Sequence, residues 1–576
     1  KWSLRIKIKN DKTLFGLESF SIQDPDTRNY LTEWIYHRLL EKEDLLHLKY
    51  DFVEIIINGK NKGIYALEEH FDKQLMTSNK LREGVIIKFD EDVIWEELLS
   101  QDVSSELDYF YTSEIQSFQN NTVQNNPELK SQFETAKNLL DGFRKEMLTP
   151  EEVFDTDKLA RYFAINTLIG SPHGSRWHNI RFYYNPLTSK LEPIGWDQYS
   201  GGDAWEIFNE YASDDDDLYF WWDLVFKDDH FKQKYFNELE RISDTDYLQI
   251  FFLELEPEIE KNVNILRKDD FLYYFSTNFY YRNQEQIKER LRYFESLNEE
   301  NSNYFEVSNK INNNFILRES NLSSLEFLEV NFEDKEIIFK EGLWKIKENL
   351  IIPKGFTLIA RPGTILDLTN NSTILSYSNL KFIGSQESPV KVITSDNTGE
   401  GIIVLNSGDQ SVLNYVEIIG QSNPFKQGFS LTGAITFYKS NFTLNYVLIE
   451  GAKSEDSLDG ISSFYQIQNS IFSNCFSDCL DDDFGGGSIE NSIFRGCGND
   501  CIDISGTEII INDVNLTDAN DKGLSIGEES KITVNNLNVD GADLCIAVKD
   551  LSILELNDAT LSNCNYGFAI YQKKSE

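Results

Sequence analysis

The sequence predicts a multidomain protein, an α+β region followed by an all-β region wound as a parallel β-helix. Three observations lead there. The 576 residues exceed what one hydrophobic core organises. Helix-like and strand-like patterns mix up to about residue 305. Beyond residue 341, short β-rich runs separated by Gly, Asn and Asp turns recur with an offset of 22 residues. The expected division is therefore 1–305 for the first domain, 306–340 for a linker and 341–576 for the second domain.

In the first domain, "RNYLTEWIYHRLLEKE" places Leu31, Trp34, Ile35 and Leu39 on one face of a helix. The following "FVEIIINGKNKGIYALEE" reads as two strands around an Asn58-Gly59 turn. "PELKSQFETAKNLLDGFRKEML" and "DTDKLARYFAINTLIGS" are amphipathic helices, and they lead into "HNIRFYYNPLTSKLEPIGWD", a hairpin pattern bracketed by Asn179 and Asp197. Further helices are expected between about Asp228 and Leu297. The Asn-rich "NEENSNYFEVSNKINNN" then breaks the periodicity, as a linker does.

In the second domain, "IQNSIFSNCFSDCLDD" and "IENSIFRGCGNDCIDI" repeat: Ile467 maps to Ile489, Cys475 to Cys497 and Cys479 to Cys501. Leu480, Ile502, Leu524 and Ile546 make one apolar column, and Cys501 maps to Gly523 and on to Cys545. Repeats of this length are the mark of a β-solenoid, one supersecondary unit per period. In its narrow interior Cys fills the place that Ala519, Gly523 and Gly541 fill in other rungs, and stacked pairs could also oxidise. All six cysteines lie in this domain.

Composition narrows the function classes. Apolar residues make up 40% and aromatics 13%, enough for folded cores. The net charge of -42 disfavours nucleic acid and anionic membrane surfaces and leaves divalent cations as compatible ligands. No apolar run reaches the roughly 18 residues of a membrane-crossing helix, so no transmembrane segment is expected. The chain starts at Lys1, which leaves any signal peptide cut away or outside it.

Two resemblances add to this reading. "GLWKIKENLIIPKGFTLIARPGTILDL" resembles the first rungs of right-handed β-helices of the pectate-lyase-like superfamily, which implies fold more than activity. "INGKNKGIYALEEHFDK", followed later by "HNIRFYY" and "IGWD", resembles the spore-coat protein H (CotH) kinase-like family. That resemblance implies an atypical protein-kinase fold using ATP and magnesium, with a secreted or surface protein as phosphate acceptor and an extracytoplasmic or cell-surface, bacterial setting. It makes Asp197 and Asn179 the magnesium ligands, both offering the oxygen that this ion prefers. It also points to Glu69 of the hairpin as a nucleotide-site acid. Glu18 stands where a phosphate-binding lysine is expected, leaving Lys7, or Arg5 or Lys9, to supply that charge. The family's catalytic carboxylate is missing from "IGSPHGSRWHN", and His173 is the nearest proton acceptor.

Plainer roles compete with these. His173 and His178 can close a loop by hydrogen bonds, Asp197 can cap a turn, and strand alternation sends one of Glu68 and Glu69 to solvent. The Asp214–Asp217 run reads as a solvated loop. In the solenoid, Asp478, Asp481, Asp500 and Asp503 crowd adjacent rungs about 4.8 Å apart, where like charges repel unless a cation such as calcium intervenes. Polysaccharide lyases of this superfamily also need a base, and Arg495 is the sole nearby source, so lyase activity is not expected. The leading expectation is an active or degenerate CotH-like kinase joined to a β-helix that binds a protein partner or surface glycan. The alternative is a non-catalytic surface structural or carbohydrate-binding protein with a pseudokinase scaffold.

Overall fold

Asn58 and Gly59 adopt φ of 52° and 74°, the left-handed pair that a two-residue hairpin requires. They join Tyr50–Ile57 to Lys60–Glu69 as an antiparallel pair, with Ile57 opposite Lys60. Leu4–Lys7 and Ser19–Gln23 complete a four-stranded sheet in the order Leu4–Lys7, Ser19–Gln23, Lys60–Glu69, Tyr50–Ile57. The helix Leu31–Lys42 buries Leu31, Trp34, Ile35 and Leu39, the face its spacing predicts.

The protein is described from a computed structural model covering residues 2–9, 12–91, 106–198, 201–211, 220–300, 322–424 and 431–573. The Asp214–Asp217 run and most of the Asn-rich linker passage lie outside the described residues. The chain divides into two units, Lys1–Asn312 and Asn313–Glu576.

A second sheet of the first unit has five strands in the order Leu46–His47, Lys190–Gly195, Arg181–Asn185, Ile86–Phe89, Ile115–Ser117. Its central hairpin pairs Arg181 with Ile194, so Asn179 and Asp197 flank the open end of one antiparallel ladder. The helices Pro127–Arg144, Thr156–Leu168, Asp229–Ser243, Thr245–Leu266 and Asn278–Glu300 belong to the same unit. No helix among the described residues is long and apolar enough to cross a membrane.

The second unit is a β-solenoid of about 10 turns from residue 336 to 571. The 22-residue offset of the sequence is the rung: Ile467 pairs with Ile489, Cys475 with Cys497, and Leu480 with Ile502. Leu458, Leu480, Ile502, Leu524 and Ile546 are all fully buried in one interior column. Side-chain ladders run between rungs, Asn445 to Asn414 at 3.1 Å and Asn469 to Asn445 at 3.0 Å among them, since a stacked amide can satisfy its neighbour in the next rung. Strands Leu328–Asn331 and Glu336–Phe339 pair ahead of residue 341, within the stretch expected as linker, because "EIIF" carries an apolar run that joins the first coil and pairs in parallel with Thr357–Ala360.

All six cysteines are paired, as Cys475–Cys479, Cys497–Cys501 and Cys545–Cys564. The stacked columns suggest bonds between rungs, yet the first two disulfides close within one rung, where Cα atoms four residues apart approach to 5.3 and 5.2 Å.

Candidate functional site

The site forms where the chain leaves the Arg181–Asn185 and Lys190–Gly195 hairpin. Asp197 sits two residues past the second strand with φ of 50°, a left-handed conformation that a non-glycine residue holds only under constraint. Its neighbour supplies the constraint. The Gln198 backbone N–H donates to Glu33 Oε2 at 3.2 Å, and Gln198 Oε1 accepts from the Gly174 N–H at 2.6 Å. A Cβ at Gly174 would lie 2.6 Å from the Trp196 carbonyl oxygen, so a side chain there would push His173 and Asp197 apart.

His173 and Asn179 join Asp197 through this loop. His173 Nε2 lies 3.7 Å from Asp197 Oδ2, and Asn179 Nδ2 donates to the His173 carbonyl at 3.2 Å. The Trp196 indole donates to the Asn179 carbonyl at 2.6 Å, tying the two ends of the hairpin together. His178 is further inside, where burial pushes its imidazole down to about 4 and keeps it neutral.

A cation and two acids complete the cluster, Arg28 from a turn, Glu33 from the helix that follows it and Glu68 from the four-stranded sheet. Arg28 ends the short Pro25–Arg28 turn just before the Leu31–Lys42 helix. Its Nη1 lies 2.5 Å from Asp197 Oδ1 and 3.8 Å from Glu33 Oε1, and its Nε lies 3.7 Å from Glu68 Oε2. Glu68 also accepts from Gln23 Nε2 at 3.2 Å. His37 Nδ1 accepts from the Leu48 N–H, so its Nε2 carries the proton and faces Glu33 at 3.7 Å.

One guanidinium thus serves three carboxylates. Side-chain exposure is 1% for Glu33, 9% for Glu68 and 24% for Asp197, so solvent screens little of this charge. Burial alone would lower Arg28, but Glu68, Glu33 and Asp197 outweigh it and hold the guanidinium above its ordinary value. Burial pushes Glu33 up to about 8, against the pull of Arg28, so this acid keeps a proton at neutral pH. Glu68 is raised for the same reason. Burial also acts to raise Asp197, yet His173, Arg28 and Arg181 together pull it below the usual carboxylate value and leave it ionised.

Of the residues singled out from sequence, the structure brings together His173, Asn179 and Asp197. Glu69 and Lys7 lie apart from them. Glu69 is 2% exposed and accepts from the Lys49 N–H at 2.8 Å and from Ser78. Both Glu68 and Glu69 are buried, against the alternation expected of the strand, because residues 64–69 are covered on both faces. Lys7 is exposed on the edge strand opposite Ser19. Arg28 and Glu33 were not singled out from sequence, although "TRNYLTEW" does offer a cation and an acid flanking a helix start, and Glu68 was weighed only as the neighbour of Glu69.

In the solenoid the four aspartates named from sequence have protein partners. Asp478 Oδ1 accepts from the Asp500 N–H at 2.7 Å, Asp500 pairs with Lys522 at 3.3 Å, and Lys549 lies 3.6 Å from Asp503. Among the described residues, Asp481 is the one of these four that falls in a group of three carboxylates at metal-ligand separation, with Asp456 and Asp459. A cleft of about 700 Å³ elsewhere in the first unit, lined by Lys42, Asp157, Arg161 and Tyr247, contains charges already engaged with each other, Glu43 with Arg241 and Tyr247.

Comparison with known proteins bears on the first unit. No curated protein matches the chain. The family model described as CotH kinase protein matches residues 1–305.

Proposed function

The chain belongs to the CotH kinase family through residues 1–305, and from that footing we propose that the Arg28–Asp197 centre binds ATP with magnesium and passes phosphate, slowly, to a protein acceptor. The observation that carries this reading is the convergence of Asp197, Asn179, His173 and Arg28 at the junction of the two sheets. The donor set suits a hard cation. Asp197 is the most exposed carboxylate of the cluster, and the Asn179 amide nitrogen is spent on His173, leaving its oxygen as the ligand atom. Magnesium, when bound, neutralises charge on the transferring phosphate. Arg28 steadies the Asp197 carboxylate and offers a fixed positive charge to the phosphates. His173, with its imidazole 45% exposed beside Asp197, is placed to accept the proton of an incoming hydroxyl.

The setting proposed is extracytoplasmic or cell-surface, supported by three disulfides in the solenoid, which persist in oxidising compartments. The solenoid is then the part that holds a protein partner or surface glycan. A second reading, a pseudokinase scaffold on a structural or carbohydrate-binding surface protein, is favoured by one observation, the absence of any acid in "IGSPHGSRWHN".

Calorimetry tests the site. Asp197→Ala is expected to abolish magnesium-dependent nucleotide binding, a loss of about 100-fold or more, with circular dichroism unchanged. Equal binding by variant and parent would remove the site. Transfer of labelled phosphate then separates the two readings: weak transfer lost in His173→Ala supports a kinase, and binding without transfer supports the scaffold. Robust transfer indifferent to His173→Ala and His173→Asp would place the catalytic group elsewhere.

A further inference from the structure

We infer that the solenoid carries a binding groove for a neutral polysaccharide, built around the ring of Phe464 and edged by Gln410, Asn441, Gln466 and Ser488. This rests on the reading of the solenoid as the partner-holding part and gives that part a place and a ligand class. The groove is a hollow of about 380 Å³ that crosses successive rungs, and the described residues lining it carry no charge. An aromatic ring with a few convergent polar groups in a hollow of this size is the usual make-up of a ligand site.

Two glycines open the hollow. In the parallel register Phe464 and Tyr465 stack on Gly486 and Gly487, and the next rung returns to larger side chains with Glu508 and Ile509. Gly487 has φ of 139°, and a Cβ there would lie 1.8 Å from the Tyr465 carbonyl oxygen, so glycine alone fits. A Cβ on Gly486 would meet Phe464 Cε1 at 3.0 Å and Cδ1 at 3.2 Å. The Phe464 ring therefore leans along the solenoid over bare backbone, and it stays 64% exposed. The C–H groups on one face of a sugar ring are apolar and pack on such a platform.

The polar edge supplies both halves of a hydrogen bond. Asn441 Oδ1 accepts from the Phe464 N–H at 2.9 Å, which leaves the amide nitrogen of Asn441 to donate. Gln410 Nε2 donates to Thr443 Oγ1 at 2.8 Å, which leaves the Gln410 oxygen to accept. Gln466 and Ser488 are neighbours in register, and among the described residues their amide and hydroxyl make no side-chain hydrogen bond. Donors and acceptors side by side suit sugar hydroxyls, which do both. An acidic sugar is disfavoured, since the chain carries a net charge of -42 and the groove offers no cation to pair with a carboxylate. An extended peptide is disfavoured too. Phe464–Gln468 is already paired with Phe442–Glu450 on one side and Gly486–Glu490 on the other, so no open edge is left for a strand to join.

The test is affinity electrophoresis of the full chain through native gels cast with a soluble β-glucan, an α-glucan, a mannan, a xylan or, as the acidic probe, polygalacturonate. At least one neutral polysaccharide should retard the parent, and polygalacturonate should not. Phe464→Ala should weaken binding about tenfold or more. Phe464→Leu, which stays apolar but loses the ring, should do the same, whereas Phe464→Trp should bind like the parent. Gln466→Ala and Ser488→Ala should each weaken binding several-fold. Phe476→Ala, which removes a ring 71% exposed on the solenoid but outside the groove, and Asp197→Ala, in the other unit, should migrate like the parent. Retardation kept by both Phe464→Ala and Phe464→Leu would overturn the groove while leaving the solenoid as the glycan-holding part. Retardation by polygalacturonate alone would overturn the ligand class. No retardation by any probe would overturn the groove and the glycan reading of the solenoid together, leaving the protein-partner reading.

Discussion

Arg28→Ala should destabilise the first unit by about 3–5 kcal/mol, the range for removing one partner from a buried ion cluster. The guanidinium is shared by Glu33, Glu68 and Asp197, and without it the acids of the cluster lose that compensating charge with little solvent to replace it. Arg28→Lys should recover only part of the loss, because an ammonium on a flexible stem cannot span three acids as a planar fork does. The guanidinium also lies over the Trp196 ring, 5.6 Å from its centroid, so alanine forfeits packing as well. The loss should grow with pH. At low pH the orphaned acids take up protons and repel less, whereas above neutrality Glu33, already raised to about 8 with Arg28 present, must be deprotonated at greater cost. Urea unfolding of parent and variant at pH 5.5 and pH 8, followed by tryptophan fluorescence, measures both effects. A loss below about 1 kcal/mol would show that the cluster is solvated like a surface ion pair.

Asp482→Asn should act in the opposite direction and stabilise the solenoid by about 4 kcal/mol at pH 7. Asp482 lies in the interior column between Gly460 and Ile504 and is fully buried. Its Oδ2 accepts from Tyr465 at 3.0 Å and from Thr507 at 3.1 Å, yet burial still pushes the acid from 3.8 up to about 8. The folded chain therefore keeps a proton that the unfolded chain releases above pH 4 or so. Stability from this group is fully present below 3.8 and is lost as pH rises towards 8. Asparagine has the shape of the protonated acid and does not titrate, so the gain should be small at pH 4 and largest at pH 8. Thermal unfolding of parent and variant across that range checks the slope. A gain independent of pH would show that repacking, not the proton, is responsible.

The elements that were legible in the sequence are those set by short-range pattern. Asn58-Gly59 can be read as a hairpin because only residues tolerant of positive φ fit there, and Leu31, Trp34, Ile35 and Leu39 as a buried face because a helix of 3.6 residues per turn aligns them. The solenoid is legible from Leu480, Ile502, Leu524 and Ile546, since a rung repeats one environment every 22 residues. Asn179 and Asp197 could be joined because a hairpin lies between them.

Arg28 was not legible. It sits on a four-residue turn without periodicity, and its partners Glu68 and Asp197 come close to it only when two sheets meet. Glu68 and Glu69 could not be told apart for a related reason: both acids are buried, and the direction each faces depends on what packs against the strand. The disulfides show the same limit. A column of cysteines fixes their environment, but whether Cys475 bonds to Cys479 or to Cys497 is decided by the turn within the rung.

The most direct test of the central claim is a crystal structure of the full chain with magnesium and a non-hydrolysable ATP analogue. The account predicts the metal on the Asp197 carboxylate and the Asn179 side-chain oxygen, with the triphosphate beside Arg28 and the terminal phosphate facing His173. A nucleotide bound away from Arg28 and Asp197, or a chain that takes up neither nucleotide nor metal at saturating concentrations, would contradict it.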